Sequence, residues 1–327
     1  MSCEPHRTKD LFLADGGDSA GGTGLDVSPS VVVTIPVYRA EMSQNEEASF
    51  RRNTSVLGKR HPVVLFAPRG LDLTRYRKIF PGFQVEFFPD RFFGSIEDYS
   101  RLLLSEEFYE RFSAYEWLLI CQLDAWVLKD ELARWCATSC DFWGAPISAR
   151  WEFYMDGRIR DIVGNGGFSL RRISAFLKVL RAERGPMYTR KALGHHIVRH
   201  FRNGDFLRAL VPILRMAGIG NGRRLCLDIL RRQGCCEDMV FRALSSPELE
   251  PHLNFPSVRE AADFALDGNF LRQFFEISGR RIPCGLHAWH QPEGMAFLRS
   301  LREKDPAAVP ESVLPAAPNE GERGVDI

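Results

Sequence analysis

Short apolar runs alternate with amphipathic stretches along most of the chain. Runs rich in Val, Ile and Phe at 31–37, 62–67 and 84–88 predict three strands, because β-branched and aromatic residues favour extended backbone. A fourth run, Trp117 to Ile120, predicts a buried central strand. Stretches with helical spacing of apolar residues separate these runs. The alternation predicts an α/β domain with a mostly parallel sheet and helices on both faces.

Capping residues and apolar stripes set the predicted helix limits. Gly58 is a C-cap signal for a first helix, and Asp98 is a candidate N-cap for the helix before the central strand. The predicted helices span residues 46–57, 99–112, 131–139 and 235–244, with another beginning after Arg172 and a stripe at 258–266.

Length and composition limit the classes of protein to which the chain can belong. The 327 residues, 45% of them hydrophobic, can form one large core or two modest ones. We predict a domain at 30–301 between disordered tails at 1–29 and 302–327, which are rich in Gly and Ser or in Pro, Ala and Glu. A net charge of +1 argues against a nucleic-acid partner. Since no apolar run reaches the roughly 18 residues that span a bilayer, we expect a cytoplasmic protein, or one peripheral to the inner face of a membrane.

One segment is strongly basic. Between Arg171 and Gly234 there are fifteen Lys or Arg and three acidic residues. Apolar residues are mixed with these charges at 206–216, and we predict an inserted helical lobe at about 181–234. A solvated basic face is the usual explanation of such a segment. The alternative is a surface for a phosphate-bearing partner or for peripheral contact with an anionic membrane.

Two polar residues follow the central strand. Gln122 and Asp124 are two positions apart, so on a strand they point to the same face. A carboxylate beside such an apolar run needs a cation or a paired partner, because an unpaired buried charge is costly. Asp124 is therefore either a group facing a cation at the mouth of the strand or a paired core residue.

Three later features also suit a chemical site, and each has a structural alternative. The glycine-rich stretch 164–167 brings the backbone close to a neighbour or makes a sharp turn. Glu237 and Asp238 open a predicted helix, where acids also suit the helix dipole. His287 is either a packed core histidine or a metal ligand.

The order of these motifs carries a resemblance to a known class. Gln-x-Asp at 122–124, Gly-Asn-Gly-Gly-Phe-Ser-Leu-Arg at 164–171, Glu-Asp at 237–238 and His-Ala-Trp at 287–289 resemble the GT-A class of nucleotide-sugar glycosyltransferases. The chain is more closely similar to a bacterial and fungal glycosyltransferase-like family filed as a domain of unknown function. The resemblance covers about residues 30–295. It implies a Rossmann-like GT-A sheet that holds a nucleotide sugar at the carboxyl ends of its strands.

The resemblance implies a role for each matching residue. Asp124, at the second Asp of the Asp-x-Asp motif, and His287 would ligate a divalent cation, Mn²⁺ or Mg²⁺, that neutralises the leaving diphosphate. Gln122 stands in place of the first Asp; its amide can bond a ribose hydroxyl but brings no charge to a cation. Asp238 would be the catalytic base, with Glu237 shaping the pocket.

Two further groups of residues are predicted around the ligands. The donor-binding group comprises Pro36, Tyr38, Arg39, Gln122 and Asp124. The sugar or acceptor pocket comprises Asn165, Gly166, Gly167 and Trp126.

The resulting prediction is an inverting glycosyltransferase. It would transfer a sugar from a nucleotide donor, with a UDP-sugar preferred, to a hydroxyl of a glycan or glycolipid acceptor. The motifs do not distinguish inversion from retention. A nucleotidyltransferase on a similar sheet is one alternative. A catalytically inactive module that binds a sugar nucleotide or glycan is another, and Gln122 favours it.

Overall fold

A computed structural model describes residues 30–148, 162–304 and Val309. The predicted tail at 1–29 lies outside these residues. The last helix continues to Lys304, so the folded domain extends past the predicted boundary at 301.

Eleven strands form three sheets in the described part of the chain. They are β1 (Val31–Pro36), β2 (Val63–Pro68), β3 (Gln84–Phe88), β4 (Trp117–Cys121), β5 (Trp126–Val127), β6 (Phe142–Gly144), β7 (Pro146–Ile147), β8 (Ile162–Val163), β9 (Phe168–Arg172), β10 (Ala265–Asp267) and β11 (Gly285–His287).

Thirteen α-helices accompany the described strands. They are α1 (Gln44–Leu57), α2 (Thr74–Ile79), α3 (Ile96–Leu103), α4 (Glu106–Arg111), α5 (Leu132–Cys136), α6 (Ile173–Leu180), α7 (Arg190–Arg202), α8 (Phe206–Met216), α9 (Arg223–Gln233), α10 (Glu237–Ala243), α11 (Val258–Phe264), α12 (Leu271–Ile277) and α13 (Pro292–Lys304).

The main sheet is mostly parallel, as predicted. Its six strands lie in the order β3-β2-β1-β4-β9-β6. Strands β1 to β4 are parallel, and β9 pairs antiparallel with both β4 and β6. The small sheet β10-β11-β5 carries Asp267 at the end of β10 and His287 at the end of β11. The predicted α/β class with helices on both faces is confirmed.

Alternate residues of β1 and β4 enter two separate cores because successive strand side chains point to opposite faces. Val32 and Leu118 pack with α3, α4, α6 and α10 in one core. Val33 and Leu119 pack with α1 and α5 in the other. Helices therefore cover both faces of β1 and β4.

The single helix predicted at 99–112 is wrong. Two helices, α3 and α4, occupy this region, and both begin at a serine instead of at Asp98. The side chain of Ser95 accepts from the backbone N–H of Asp98, and that of Ser105 accepts from Phe108. A serine N-cap accepts a hydrogen bond from a free backbone N–H at the start of a helix. Ser105 therefore begins a second helix, although the helical spacing of apolar residues continues across this position. Helix α5 is likewise shorter than the predicted 131–139.

The basic lobe is helical, as predicted. Helices α7 and α8 form a hairpin, in which the rings of Phe201 and Phe206 meet with centroids 5.6 Å apart. Helix α9 returns to the domain, where the Arg231 Nε donates to the Leu104 carbonyl at 2.8 Å. No helix within the described ranges is long and apolar enough to cross a bilayer.

Candidate functional site

A cleft of about 530 Å³ opens at the carboxyl ends of β1 and β4. Pro36 lines it from the end of β1, Tyr38 from the residues that follow, and Gln122 and Asp124 from the loop after β4. Residues between Phe92 and Tyr99 form the opposite wall. Parallel strands bring these chain segments together because their carboxyl ends meet at one edge.

Arg39 lies beside the cleft instead of lining it. Its guanidinium is exposed and pairs with Glu46 at 2.6 Å, and Glu46 lines the cleft. The structure thus brings four of the five predicted donor-binding residues to one cavity, with Arg39 at its margin.

Helix α1 fixes the loop that carries Asp124. The buried side chain of Asn53 donates to the Ala125 carbonyl and accepts from the Val127 N–H, both at 2.8 Å. The Gln122 carbonyl accepts from the Ala125 N–H at 2.9 Å, which closes a turn around Asp124. The position of Asp124 is therefore set by backbone contacts and does not require a bound ligand.

His287 meets both polar residues of the loop after β4. Its Nε2 lies 3.4 Å from Asp124 Oδ2 and 3.4 Å from Gln122 Oε1. His287 thus meets two residues that lie more than 160 positions earlier in the sequence, at one point beside the cleft. Although burial lowers the pKa of His287, the carboxylates of Asp124 and Asp267 outweigh that effect and raise it above its ordinary value.

Asp267 orients this imidazole, and sequence reasoning missed it. Its Oδ2 lies 2.8 Å from His287 Nδ1 and also accepts from the Asn165 amide at 2.8 Å. Burial opposes ionisation of Asp267, but the contacts with His287 and Asn269 keep its pKa below the usual range. A carboxylate on Nδ1 selects the tautomer in which Nε2 is free to accept or to ligate. The turn Asp267-Gly-Asn269 at the end of an apolar stretch was the available signal.

The glycine-rich stretch passes between the two halves of the site. The Gly167 N–H donates to Asn165 Oδ1 at 3.0 Å, and its carbonyl accepts from the Gln122 N–H at 2.9 Å. A Cβ on Gly167 would collide with the His287 ring and with Gln122 Oε1. A Cβ on Gly166 would lie 2.7 Å from Glu237 Oε1. These two glycines therefore permit a close approach that no other residue type allows.

Glu237 is held in a buried ion pair. Its Oε1 accepts from Arg171 at 3.1 Å and its Oε2 from the Ser100 hydroxyl at 3.3 Å. The Arg171 side chain has no exposed surface and also donates to the Tyr109 hydroxyl at 3.0 Å. Buried charges are retained when they are paired and hydrogen-bonded in this way. Arg171 and Ser100 thus hold the Glu237 carboxylate in place. Arg171 is its principal partner, although no role was assigned to Arg171 from sequence.

Asp238 follows Glu237 and differs from it in both partners and proton affinity. Its Oδ1 accepts from the Met239 N–H at 2.7 Å. Burial and the neighbouring charge of Glu237 raise the pKa of Asp238 from 3.8 to about 7. A carboxyl with a pKa near neutrality takes up and releases a proton at ordinary pH, which is the property that a general base requires.

The structure places Trp126 in the core, which corrects its predicted place in the sugar pocket. Its side chain has no exposed surface and its indole packs 4.9 Å from that of Trp289. The chain turns away from the cleft before β5 begins. Trp126 lies on β5, where it pairs with Leu286 of β11.

The donor atoms fit a cation bound by two side chains. Asp124 Oδ1 is buried and makes no hydrogen bond with the described residues, and His287 Nε2 faces the same carboxylate. Within residues 30–148 and 162–304, no group of three His, Cys, Asp or Glu side chains is arranged to hold a metal. A cation here would need further oxygen ligands from a substrate or from water.

More than half of the sequence matches one known protein family. It matches the family described as "Protein of unknown function (DUF5672)" over residues 82–287. The chain belongs to this family. The expected membership of a family filed as a domain of unknown function is confirmed. The DUF5672 region ends at His287 and contains every residue of the site described above except those contributed by β1 and α1.

Two solved glycosyltransferase structures are among the structural matches to this DUF5672 chain. Core-mannan synthase A from Aspergillus fumigatus, in its Mn/GDP form, is 10% identical with a TM-score of 0.34, covering 57% of this chain and 68% of that one. The bifunctional glycosyltransferase WbbM, in its apo form, is 9% identical with a TM-score of 0.36. That match covers 82% of this chain but 47% of WbbM, so the chain spans about half its length. Likeness at these scores adds nothing to an assignment of function. No curated protein matches the sequence significantly.

Proposed function

We propose that this protein transfers a sugar from a nucleotide-sugar donor, with a UDP-sugar preferred, to a hydroxyl of a glycan or glycolipid acceptor. One observation carries the proposal. The Gly166–Gly167 backbone has His287 and Gln122 against one glycine and the Glu237–Asp238 pair against the other. A leaving-group site and a base therefore lie on adjacent sides of a single close-packed turn, next to a cleft.

The cleft would hold the nucleotide. Tyr38 is half exposed at its rim and offers a ring face for a base, and the Gln122 amide offers a hydrogen bond to a ribose hydroxyl. Its volume of about 530 Å³ falls in the usual range for small-molecule sites. The diphosphate would then lie toward Asp124 and His287.

Asp124 and His287 would hold a divalent cation, Mn²⁺ or Mg²⁺, together with the diphosphate. Such a cation supplies Lewis-acid neutralisation of the departing phosphate oxygens. Asp267 keeps the His287 ring oriented through Nδ1 and so presets the ligand for this role. The mixed set of carboxylate oxygen and imidazole nitrogen is compatible with Mn²⁺.

Asp238 would act as the base. Its Oδ1 is engaged by the Met239 N–H, which leaves Oδ2 to take the proton of the acceptor hydroxyl. The acceptor oxygen forms its bond to the anomeric carbon while the bond from that carbon to the diphosphate breaks. The products are the glycosylated acceptor and a nucleoside diphosphate, and the proton resides on Asp238. Attack on the face opposite the leaving group gives inversion.

A catalytically inactive sugar-nucleotide module is the second candidate. Gln122 favours it, because a neutral amide replaces a carboxylate at the cation side of the cleft. The unpaired oxygen of Asp124 and the raised pKa of Asp238 favour turnover. A buried carboxylate oxygen without a hydrogen bond and a carboxyl that resists ionisation both cost stability, and a purely binding module has no use for the second.

The deciding experiment measures product release from a panel of nucleotide sugars, with and without Mn²⁺ and with water or glycosides as acceptors. A glycosyltransferase releases nucleoside diphosphate, and a nucleotidyltransferase releases pyrophosphate. Asp238→Asn is expected to abolish release while leaving donor-dependent thermal stabilisation intact. Asp228→Asn, a part-exposed acid in α9, is the matched control and should retain release.

Each result has a definite meaning. Donor binding with no release from any donor, unchanged by Asp238→Asn, would support the inactive module. Pyrophosphate release would support the nucleotidyltransferase.

A further inference from the structure

The hairpin of α7 and α8 exposes an unusual amount of apolar surface. Of the fifteen large hydrophobic side chains that are exposed in the described chain, ten lie between Val198 and Leu225. Leu207 is 82% exposed and Phe206 is 62% exposed. We call the following set the hairpin face: Phe201, Phe206, Leu207, Leu210, Val211 and Leu214. Single exposed apolar residues are ordinary, but a concentrated set marks an interaction site.

The packing of α8 is inverted relative to that of an ordinary surface helix. Its buried positions are Ala209 and Pro212, whereas its larger aliphatic side chains point outward. A helix at the surface of a globular domain normally turns its large apolar residues inward. The described residues therefore leave the apolar side of α8 uncovered.

The hairpin that carries this face is basic. Between Arg190 and Met216 there are six Lys or Arg and one acidic residue, Asp205. Arg202 and Arg208 are exposed on the two helices of the hairpin, next to Phe201 and Leu207 in sequence. An apolar stripe flanked by arginines is typical of helices that lie in the interface of an anionic bilayer.

We propose that the hairpin face docks on an anionic membrane surface. Its apolar side chains would enter the boundary between headgroups and acyl chains, and the flanking arginines would contact lipid phosphates. A second copy of the chain fits less well, because a symmetric contact through this face would bring two basic hairpins together. Nucleic acid fits less well too, since aliphatic side chains add nothing to phosphate binding.

The hairpin is connected directly to the candidate site. Helix α9 follows it and is fixed to the domain by Arg231, which donates to the Leu104 carbonyl, and by Arg101, which donates to the Arg231 carbonyl at 3.0 Å. Gly234, in a left-handed conformation, then ends α9 shortly before Asp238. The proposal stands independently of the sugar-transfer reaction, since it rests on the hairpin alone.

The test is cosedimentation of the full chain with vesicles. One set contains equal parts of phosphatidylglycerol and phosphatidylcholine, and the other contains phosphatidylcholine alone. We expect binding to the anionic vesicles, weakened by salt. The double variant Leu207→Glu with Leu210→Glu should lower the partition coefficient at least about tenfold. Arg202→Gln with Arg208→Gln should weaken binding and flatten its salt dependence.

Ile277→Glu with Ile282→Glu is the matched control, because both are exposed apolar residues outside the hairpin. It should leave binding unchanged. We expect all variants to fold, because the substituted side chains are exposed, and circular dichroism melts check this. Absence of binding to anionic vesicles, or equal binding by wild type and the Leu207/Leu210 variant, overturns the proposal. Concentration-dependent dimerisation that this variant abolishes, without vesicle binding by the wild type, would assign the face to self-association.

Discussion

The Nδ1 atom of His287 lies 2.8 Å from Oδ2 of Asp267, which directs Nε2 toward Asp124. We expect Asp267→Asn to lower Mn²⁺ affinity about 10–100-fold, because the ring loses the partner that fixes its tautomer. Isothermal titration calorimetry with MnCl₂ measures this directly. Asp130→Asn is the control, since Asp130 forms a similar pair with His61 away from the cleft, at 3.2 Å. Equal Mn²⁺ affinity in wild type and Asp267→Asn would contradict the orienting role.

Asp238 should govern the pH dependence of activity. Its pKa is raised to about 7, and the base must be ionised to accept a proton. We therefore expect kcat/KM for nucleoside diphosphate release to rise with pH through about 7 and then level off. A profile measured at saturating Mn²⁺ checks this. A flat profile between about pH 5 and pH 8 would remove Asp238 from the reaction.

The same carboxyl should oppose folding once it ionises. Its pKa is 3.8 ordinarily and about 7 in the folded protein, so the cost is absent at low pH, grows between these values and is complete above them. We expect Asp238→Asn to raise the free energy of unfolding by about 4 kcal/mol near pH 8 and by less than about 1 kcal/mol near pH 4. Urea unfolding at both pH values measures the difference. An equal effect at both would indicate a cause other than ionisation.

Gly167 and Gly164 provide a comparison within one loop. A Cβ on Gly167 would collide with the His287 ring, whereas on Gly164 its nearest neighbours lie at 3.9 Å and 4.0 Å. We expect Gly167→Ala to cost about 1–3 kcal/mol and to weaken Mn²⁺ binding through displacement of His287. Gly164→Ala should change neither by a comparable amount. Thermal melts and Mn²⁺ titrations of the two variants decide the matter.

The Arg171–Glu237 pair should behave as a coupled unit. Removing Arg171 leaves Glu237 as a buried charge without its main partner, so Arg171→Met is expected to cost about 3–5 kcal/mol. The double variant Arg171→Met with Glu237→Gln should recover part of this loss, since no buried charge remains. A double-mutant cycle from urea unfolding gives the coupling energy. Additive losses would show that the pair contributes little to stability.

The sequence by itself determined the fold class and the order of the chemical motifs. Strand runs with β-branched residues, and helical stripes between them, are set by local spacing, so the α/β sheet was predictable from the pattern. The carboxyl-end position of Gln122 and Asp124 followed from their place after the apolar run. Helix limits were less predictable, as Ser105 shows, because a cap depends on one side-chain bond within a continuous periodic pattern.

Only the tertiary structure decided which partners these residues have. Asp267 and His287 are 20 positions apart, and Arg171 and Glu237 are 66 apart, so no local pattern relates them. Trp126 was predicted to lie in the sugar or acceptor pocket, but the chain turns away from the cleft before β5 and the side chain is buried in the core. Long-range contacts of this kind arise from packing of whole elements, which the spacing of apolar residues along one segment does not encode.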